Sequence, residues 1–311
     1  MPTLNEISDE VQARRDRAQD DIRRSYLKKL SELTGRDTIV YASAFSSYKG
    51  PSIPGLALSV TLEDIQGFMS ALHGLSGKNL DLVLHSPGGS MEAAEQIVQY
   101  LRSKYTHIRA IVPQNAMSAA TMIACACDEI IMGKHSALGP IDPQVTFPTM
   151  GGAFTAPAQA ILDEFQQARD SIEKDPSSAA IWLQKMQAYP PGFLHLCSNT
   201  LQLAKSKVAL WLNSYMFNSA TVKDGETIAA WLGNANEHRT HGRPINAETA
   251  RGVGLVVTDL EAHQELQEAV LSVFHATMVT FKDTACVKMI ENQNGRGVYA
   301  QVHMQAMQVR P

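Results

Sequence analysis

The sequence predicts an α/β fold built on a parallel sheet, and residues 80–143 carry the prediction. An apolar run, Leu82-Val83-Leu84, ends in Ser86-Pro87-Gly88-Gly89-Ser90 and gives way to a helical segment over 91–104. A second run, 107–113, leads through Asn115-Ala116-Met117 to Ser118, which opens another apolar helix. The stretch closes on Gly139-Pro140-Ile141-Asp142-Pro143. Strand-to-helix junctions of a parallel sheet fall at the carboxyl ends of its strands, where such sheets hold their sites.

The remaining elements follow in chain order. Residues 1–36 are dense in charge of both signs, with Ile22, Leu27, Leu30 and Leu33 at helical spacing, and predict a solvated helix with a thin apolar stripe. The β-branched and aromatic run 37–45 is a first strand. Residues 46–55 form a Pro- and Gly-rich loop, and 56–60 a short strand. Thr61 with Asp64 caps a helix that runs to about residue 75. Residues 145–157 read as an exposed loop bordering a groove. Helices follow over 158–174, 178–189, 195–218 and 224–234, then a polar loop, 237–245, and a short helix opened by Asn246. Residues 252–257 form a closing strand, 259–290 a long amphipathic helix, and the Gln- and Met-rich tail beyond Asn292 receives no assignment. The expected organisation is a charged helix (1–36), a catalytic domain (37–257) and a helical extension (258–311).

Composition narrows the function. Of 311 residues, 44% are hydrophobic and 19% charged, which is enough for a large core. A net charge of −4 argues against nucleic acid or an anionic membrane as the main partner. Apolar runs break well before the roughly 20 residues of a membrane span, and the N-terminus lacks the layout of a signal peptide, so a cytoplasmic location is expected. The four cysteines show no Cys-x-x-Cys pair and read as reduced core residues. Neither a metal nor a cofactor is expected; G-x-G-x-x-G and a Walker lysine are both absent.

The candidate chemistry is acyl transfer. Glycines at 88 and 89 let the backbone turn an N–H outward, and such a donor stabilises a developing oxyanion by about 3–4 kcal/mol. Ser118 begins a helix flanked by Ala119, Ala120 and Ala124, so its hydroxyl faces a pocket, with the Ala119 N–H beside it. The surroundings lack G-x-S-x-G, which disfavours an α/β-hydrolase elbow. Asp142 is held between Pro140 and Pro143. For the base, His241 stands beside His135 and His238, and beside Lys174, Lys185, Lys205 and Lys207 as Ser–Lys alternatives.

At these residues the chain resembles the Clp-protease/crotonase superfold, through the pairing of Ser86-Pro87-Gly88-Gly89 with a helix-starting Ser118. In that pairing it is similar to the Clp protease proteolytic subunit and to signal peptide peptidase A. The nearer likeness is to the serine dehydrogenase proteinase family, carried by 85–89, 116–118, 128–133, 138–144 and His241 with Pro244-Ile245. The resemblance implies a Clp/crotonase-like spiral of parallel strands flanked by helices and a peptide or protein substrate. It also implies Ser118 as nucleophile, Asp142 as orienting acid and His241 as base. It implies a homo-oligomer as well, to which helix 259–290 offers a further contact. Members of the family often carry an N-terminal membrane helix, whereas this chain begins with a charged one. The Clp subunit's histidine falls about where Ile141 and Asp142 stand, so that triad does not transfer directly. The chain holds no ATPase motif, so an ATPase partner is left unassigned. Two other readings stand beside the peptidase: a crotonase-type acyl-CoA enzyme, and an inert scaffold that keeps the fold.

Overall fold

The computed structural model describes residues 4–47, 52–149, 152–187, 189–218 and 224–302, with side chains from residue 19 onward. In chain order the elements are α1 (Leu4–Thr34), β1 (Asp37–Ser43), α2 (Gly55–Leu58), α3 (Asp64–Leu72), β2 (Asn79–His85), α4 (Met91–Lys104) and β3 (His107–Val112). Then come β4 (Asn115–Ala116), α5 (Ala119–Cys125), β5 (Glu129–Met132), β6 (Ala137–Leu138), β7 (Gln144–Thr149), β8 (Gly152–Pro157), α6 (Ala158–Lys174) and α7 (Ala179–Met186). The chain continues with α8 (Phe193–Trp211), α9 (Gly225–Leu232), α10 (Ala235–His238), α11 (Ala247–Gly252), β9 (Val257–Asp259), α12 (Gln264–Asp283), β10 (Cys286–Asn292) and β11 (Gly297–Gln301).

Seven strands form the main sheet in the order β11-β10-β1-β2-β3-β5-β9. From β1 to β9 neighbours are parallel, and β10 and β11 add antiparallel. Helices cover both faces, so the central strands read as continuous apolar runs. Alternate residues serve opposite layers: Ile39, Tyr41, Leu82 and Leu84 join one core, while Val40, Ala42, Val83 and Ile111 join the other. A short sheet, β4 with β6, stands beside the main one and is continued by bridges Ser86–Ala116 and Leu138–Ile245. All four cysteines are free and buried, and burial pushes the Cys125 and Cys127 thiols upward.

The N-terminal helix is anchored by charge as well as by Leu27 and Leu30. The fully buried Arg23 donates to Glu291 (2.7 Å) and to the Thr280 hydroxyl (2.8 Å), and Arg24 donates to the same Glu291 (2.6 Å). These bonds join α1, α12 and β10. The apolar side of α12, including Val270, Val273 and Phe281, is buried within the chain.

Three expectations are corrected. The helix expected over 259–290 ends at Asp283, and the extension expected to be helical beyond 258 contributes two strands to the main sheet, the second of them in the tail that receives no assignment. The alternation of Val287, Met289 and Glu291 with Lys288, Ile290 and Asn292 has a period of two, but the charged and amide residues at these positions hide it. Within the loop expected over 145–157, residues 145–149 and 152–157 pair as the antiparallel strands β7 and β8. Residues 56–60 contain a helical turn over Gly55–Leu58, and only Val60 pairs as in a strand, through a bridge to Gly89. Strands β7 and β8 with α6 and α8 enclose a separate apolar cluster around Phe147, Ile161, Phe193 and Leu201. Among the described residues no helix is long and apolar enough to cross a membrane.

Candidate active site

The two junctions meet because β2 and β4 are stitched at their ends. Ser86 N–H donates to the Asn115 carbonyl (3.0 Å), and Met117 N–H donates to the Ser86 carbonyl (2.9 Å). This brings Gly88 against Ser118. A Cβ on Gly88 would lie 2.5 Å from the Met117 carbonyl oxygen, 2.7 Å from Ser118 Cβ and 2.8 Å from the Ala119 nitrogen, so only glycine fits. Gly88 also has φ +91°.

Ser118 has φ 52° and ψ −120°, a conformation that costs a non-glycine residue about 1–3 kcal/mol. Its hydroxyl caps no N–H of α5. The N-cap role, the ordinary reason for serine here, is therefore excluded. Although G-x-S-x-G is absent, the strand–Ser–helix turn has the strained geometry of an elbow.

Asp142 is pinned from two sides. The Thr121 hydroxyl on α5 donates to the Ala116 carbonyl (2.7 Å) and accepts from the Gly139 N–H (3.0 Å). Ile141 N–H donates to the Leu232 carbonyl (2.9 Å), while Leu138 and Ile245 exchange two backbone bonds of 2.9 Å. The second exchange carries the loop holding His241 alongside Asp142. Asp142 is 1% exposed, and its Oδ1 accepts from His241 Nδ1 at 2.8 Å. Its Oδ2 accepts from Gln144 Nε2 at 2.7 Å. With Nδ1–H given to the carboxylate, His241 Nε2 is left as an acceptor.

Ser118, Ala119, Gly88, Gly89 and His241 line one cleft of about 390 Å³. Helix α8 forms part of its wall through Thr200 and Ala204. The Gly88 N–H is taken by Ser86 Oγ (3.2 Å), whereas the Gly89 and Ala119 N–H groups have no acceptor among the described residues. The alternative bases lie elsewhere. His238 is buried with its ring on Trp231 and its Nε2 at the Trp231 carbonyl (2.9 Å), and His135 is exposed outside the cleft. Lys207 pairs with Glu95 (2.5 Å) and Lys185 with Glu164; neither they nor Lys174 and Lys205 line the cleft. Gln144 and Val60 were not singled out from sequence. Gln144 was legible as the residue two positions from Asp142 on an extended chain, which shares its face.

Beneath the glycine loop, His85 is fully buried at the end of β2. Asn115 N–H donates to its Nδ1 (3.3 Å), and its Nε2–H donates to Ser46 Oγ (2.8 Å). Burial pushes its pKa from 6.5 down to about 3. The native state thus holds this ring neutral while the unfolded chain binds a proton below 6.5, so stability falls with acid between pH 6.5 and 3. The His85 share is about 1.4 kcal/mol per pH unit. Urea unfolding at pH 7 and pH 5 should show about 2 kcal/mol lost in the wild type, and His85→Gln should remove that part of the slope. An unchanged slope in the variant would assign the acid sensitivity to other groups.

A family described as ClpP-like SDH-type serine proteinase matches residues 15–176, just over half of the chain; Ser118 and Asp142 lie inside the match and His241 outside it. Two uncharacterized proteins of Methanocaldococcus jannaschii are similar, at 32% identity over 64% of this chain and 34% over 37%. The matched stretches span 60% and 37% of those relatives' own lengths. Among solved structures, a mutant of the 1510-N membrane-bound stomatin-specific protease aligns at TM-score 0.40 and 17% identity, covering 68% of this chain and 79% of that one. A probable enoyl-CoA hydratase/isomerase from Mycobacterium abscessus aligns at TM-score 0.27 and 13% identity, covering 72% of this chain and 64% of that one.

Proposed function

Because the chain belongs to the ClpP-like SDH-type serine proteinase family, we propose that it is a serine endopeptidase acting through Ser118, His241 and Asp142. His241 Nε2 takes the Ser118 Oγ proton as the oxygen attacks a peptide carbonyl carbon. The Gly89 and Ala119 amides hold the resulting oxyanion. His241⁺ then gives its proton to the departing amine, and the C–N bond breaks to leave a Ser118 ester. Water attacks that ester, His241 accepts its proton and returns one to Ser118, and the peptide acid leaves.

One observation carries this reading: a strained serine, two amides with no acceptor among the described residues and a carboxylate-bound histidine border a single cleft. Action on internal bonds is supported by the shape of the surface. The cleft shares Ser59, Gly89 and Ser90 with a larger apolar groove of about 790 Å³, so the chain has room to continue past the serine. The test is cleavage of an unfolded protein substrate by the purified enzyme. Internal fragments whose formation stops after one equivalent of fluorophosphonate support the reading. A folded protein that neither cleaves nor reacts would favour the scaffold.

Assembly is part of the proposal. The layer around β7 and β8 leaves Phe154, Ile181, Leu183 and Leu196 more than half exposed, and apolar patches of that kind mark contact surfaces. We assign this layer the subunit contact, with a second copy of the chain as its partner. Light scattering at micromolar concentration should give a multiple of the chain mass, and Ile181→Glu/Leu183→Glu should give the monomer. A monomeric wild type would remove the contact.

A further inference from the structure

Building on the acyl-transfer reading above, the geometry points to Lys288 as a positioning residue for the oxyanion donor Gly89, acting from a strand outside the stretch that the family matches. The Lys288 side chain is 9% exposed, and its Nζ donates to the Ser59 carbonyl (2.9 Å) and to Asp64 Oδ1 (2.7 Å). Asp64 Oδ2 in turn accepts from the Tyr41 hydroxyl (2.6 Å) and from the Thr61 N–H (2.8 Å). The ammonium and the carboxylate therefore grip residues 59 and 61, and Val60 lies between them.

Val60 holds the glycine loop. Its N–H donates to the Gly88 carbonyl (2.8 Å), and its own carbonyl accepts from the Ser90 N–H (2.9 Å). A Cβ on Gly89 would lie 2.4 Å from the Val60 oxygen, so the two backbones have no slack between them. The Gly88 carbonyl and the Gly89 N–H belong to one planar trans peptide and point in opposite directions. Fixing the carbonyl on Val60 thus aims the N–H away from Val60. Lys288 is two links back along that chain of contacts.

Stability alone does not account for a lysine here, because a buried ion pair adds little over apolar residues of the same volume. Aiming a catalytic dipole does account for it. Misplacing a catalytic group by about 1 Å costs up to about 100-fold in rate.

The test is the rate at which fluorophosphonate modifies Ser118, with peptide hydrolysis measured alongside. Lys288→Met should slow modification and lower kcat by about 10- to 100-fold, and Lys288→Arg should recover part of the loss. Arg109→Met breaks one of the two arginine pairs of Asp81, between the second and third strands (2.7 Å) and away from the cleft, and should leave the rate of the folded protein unchanged. If Lys288→Met does not fold, Lys288→Met/Asp64→Leu removes both charges and is measured in the same way. A wild-type rate in Lys288→Met or in Lys288→Met/Asp64→Leu, or an equal slowing in Arg109→Met, would overturn the positioning role while Ser118 remains the nucleophile. A wild type that never reacts at Ser118 would instead remove the acyl-transfer reading and this inference with it.

Discussion

Replacing Ser118 with alanine should lower kcat/KM by about 10⁶-fold, to the level that the amides and binding alone sustain. The expected loss is that large because in the proposed mechanism the serine, histidine and aspartate act as one unit, so no partner compensates for a missing oxygen. The same position should reveal the strain. Ser118 has φ 52°, which a Cβ disfavours, and Ser118→Gly relieves it. That variant should be inactive yet more stable than the wild type by about 1 kcal/mol, as read from urea midpoints. Activity surviving in the alanine variant would exclude this residue from the chemistry. A glycine variant less stable than wild type would mean that the turn holds the serine without strain.

Asp142→Asn should lower kcat by about 10⁴-fold with KM little changed. The mechanism is specific to the neighbours of this carboxylate. Gln144 Nε2 donates to Oδ2, so an asparagine keeps its carbonyl toward Gln144 and turns its NH₂ toward His241. His241 Nδ1 must then accept, its proton moves to Nε2, and the ring can no longer take the Ser118 proton. Steady-state kinetics check the effect, and a loss below about tenfold would show that the histidine is oriented by other contacts.

Much of this site is visible in the chain because its demands are local. A glycine pair after an apolar run, and a serine between a short strand and an alanine-rich helix, need no knowledge of distant residues. The choice among His135, His238 and His241 is different in kind. The proposal of His241 rests on the Leu138–Ile245 exchange, which pairs segments about a hundred residues apart and leaves no periodic trace. Residues 286–301 were missed for a related reason. Strand β10 carries Lys288, Glu291 and Asn292 at buried positions, and each takes partners from distant parts of the chain: Ser59 and Asp64, Arg23 and Arg24, and Ala71. A charged residue that a sequence reading assigns to solvent is here a clamp between layers. The pairing of strands 144–149 and 152–157 is obscured by glycines and prolines, which signal a loop although the two strands pair in full register.

The most direct measurement of the central claim is the site of covalent capture. After treatment of the folded wild type with a fluorophosphonate, intact mass followed by peptide mapping should find one phosphonyl group, on Ser118, and no adduct in Ser118→Ala. An adduct on any other residue, or a folded protein that takes up none, would contradict the assignment of this cleft to acyl transfer.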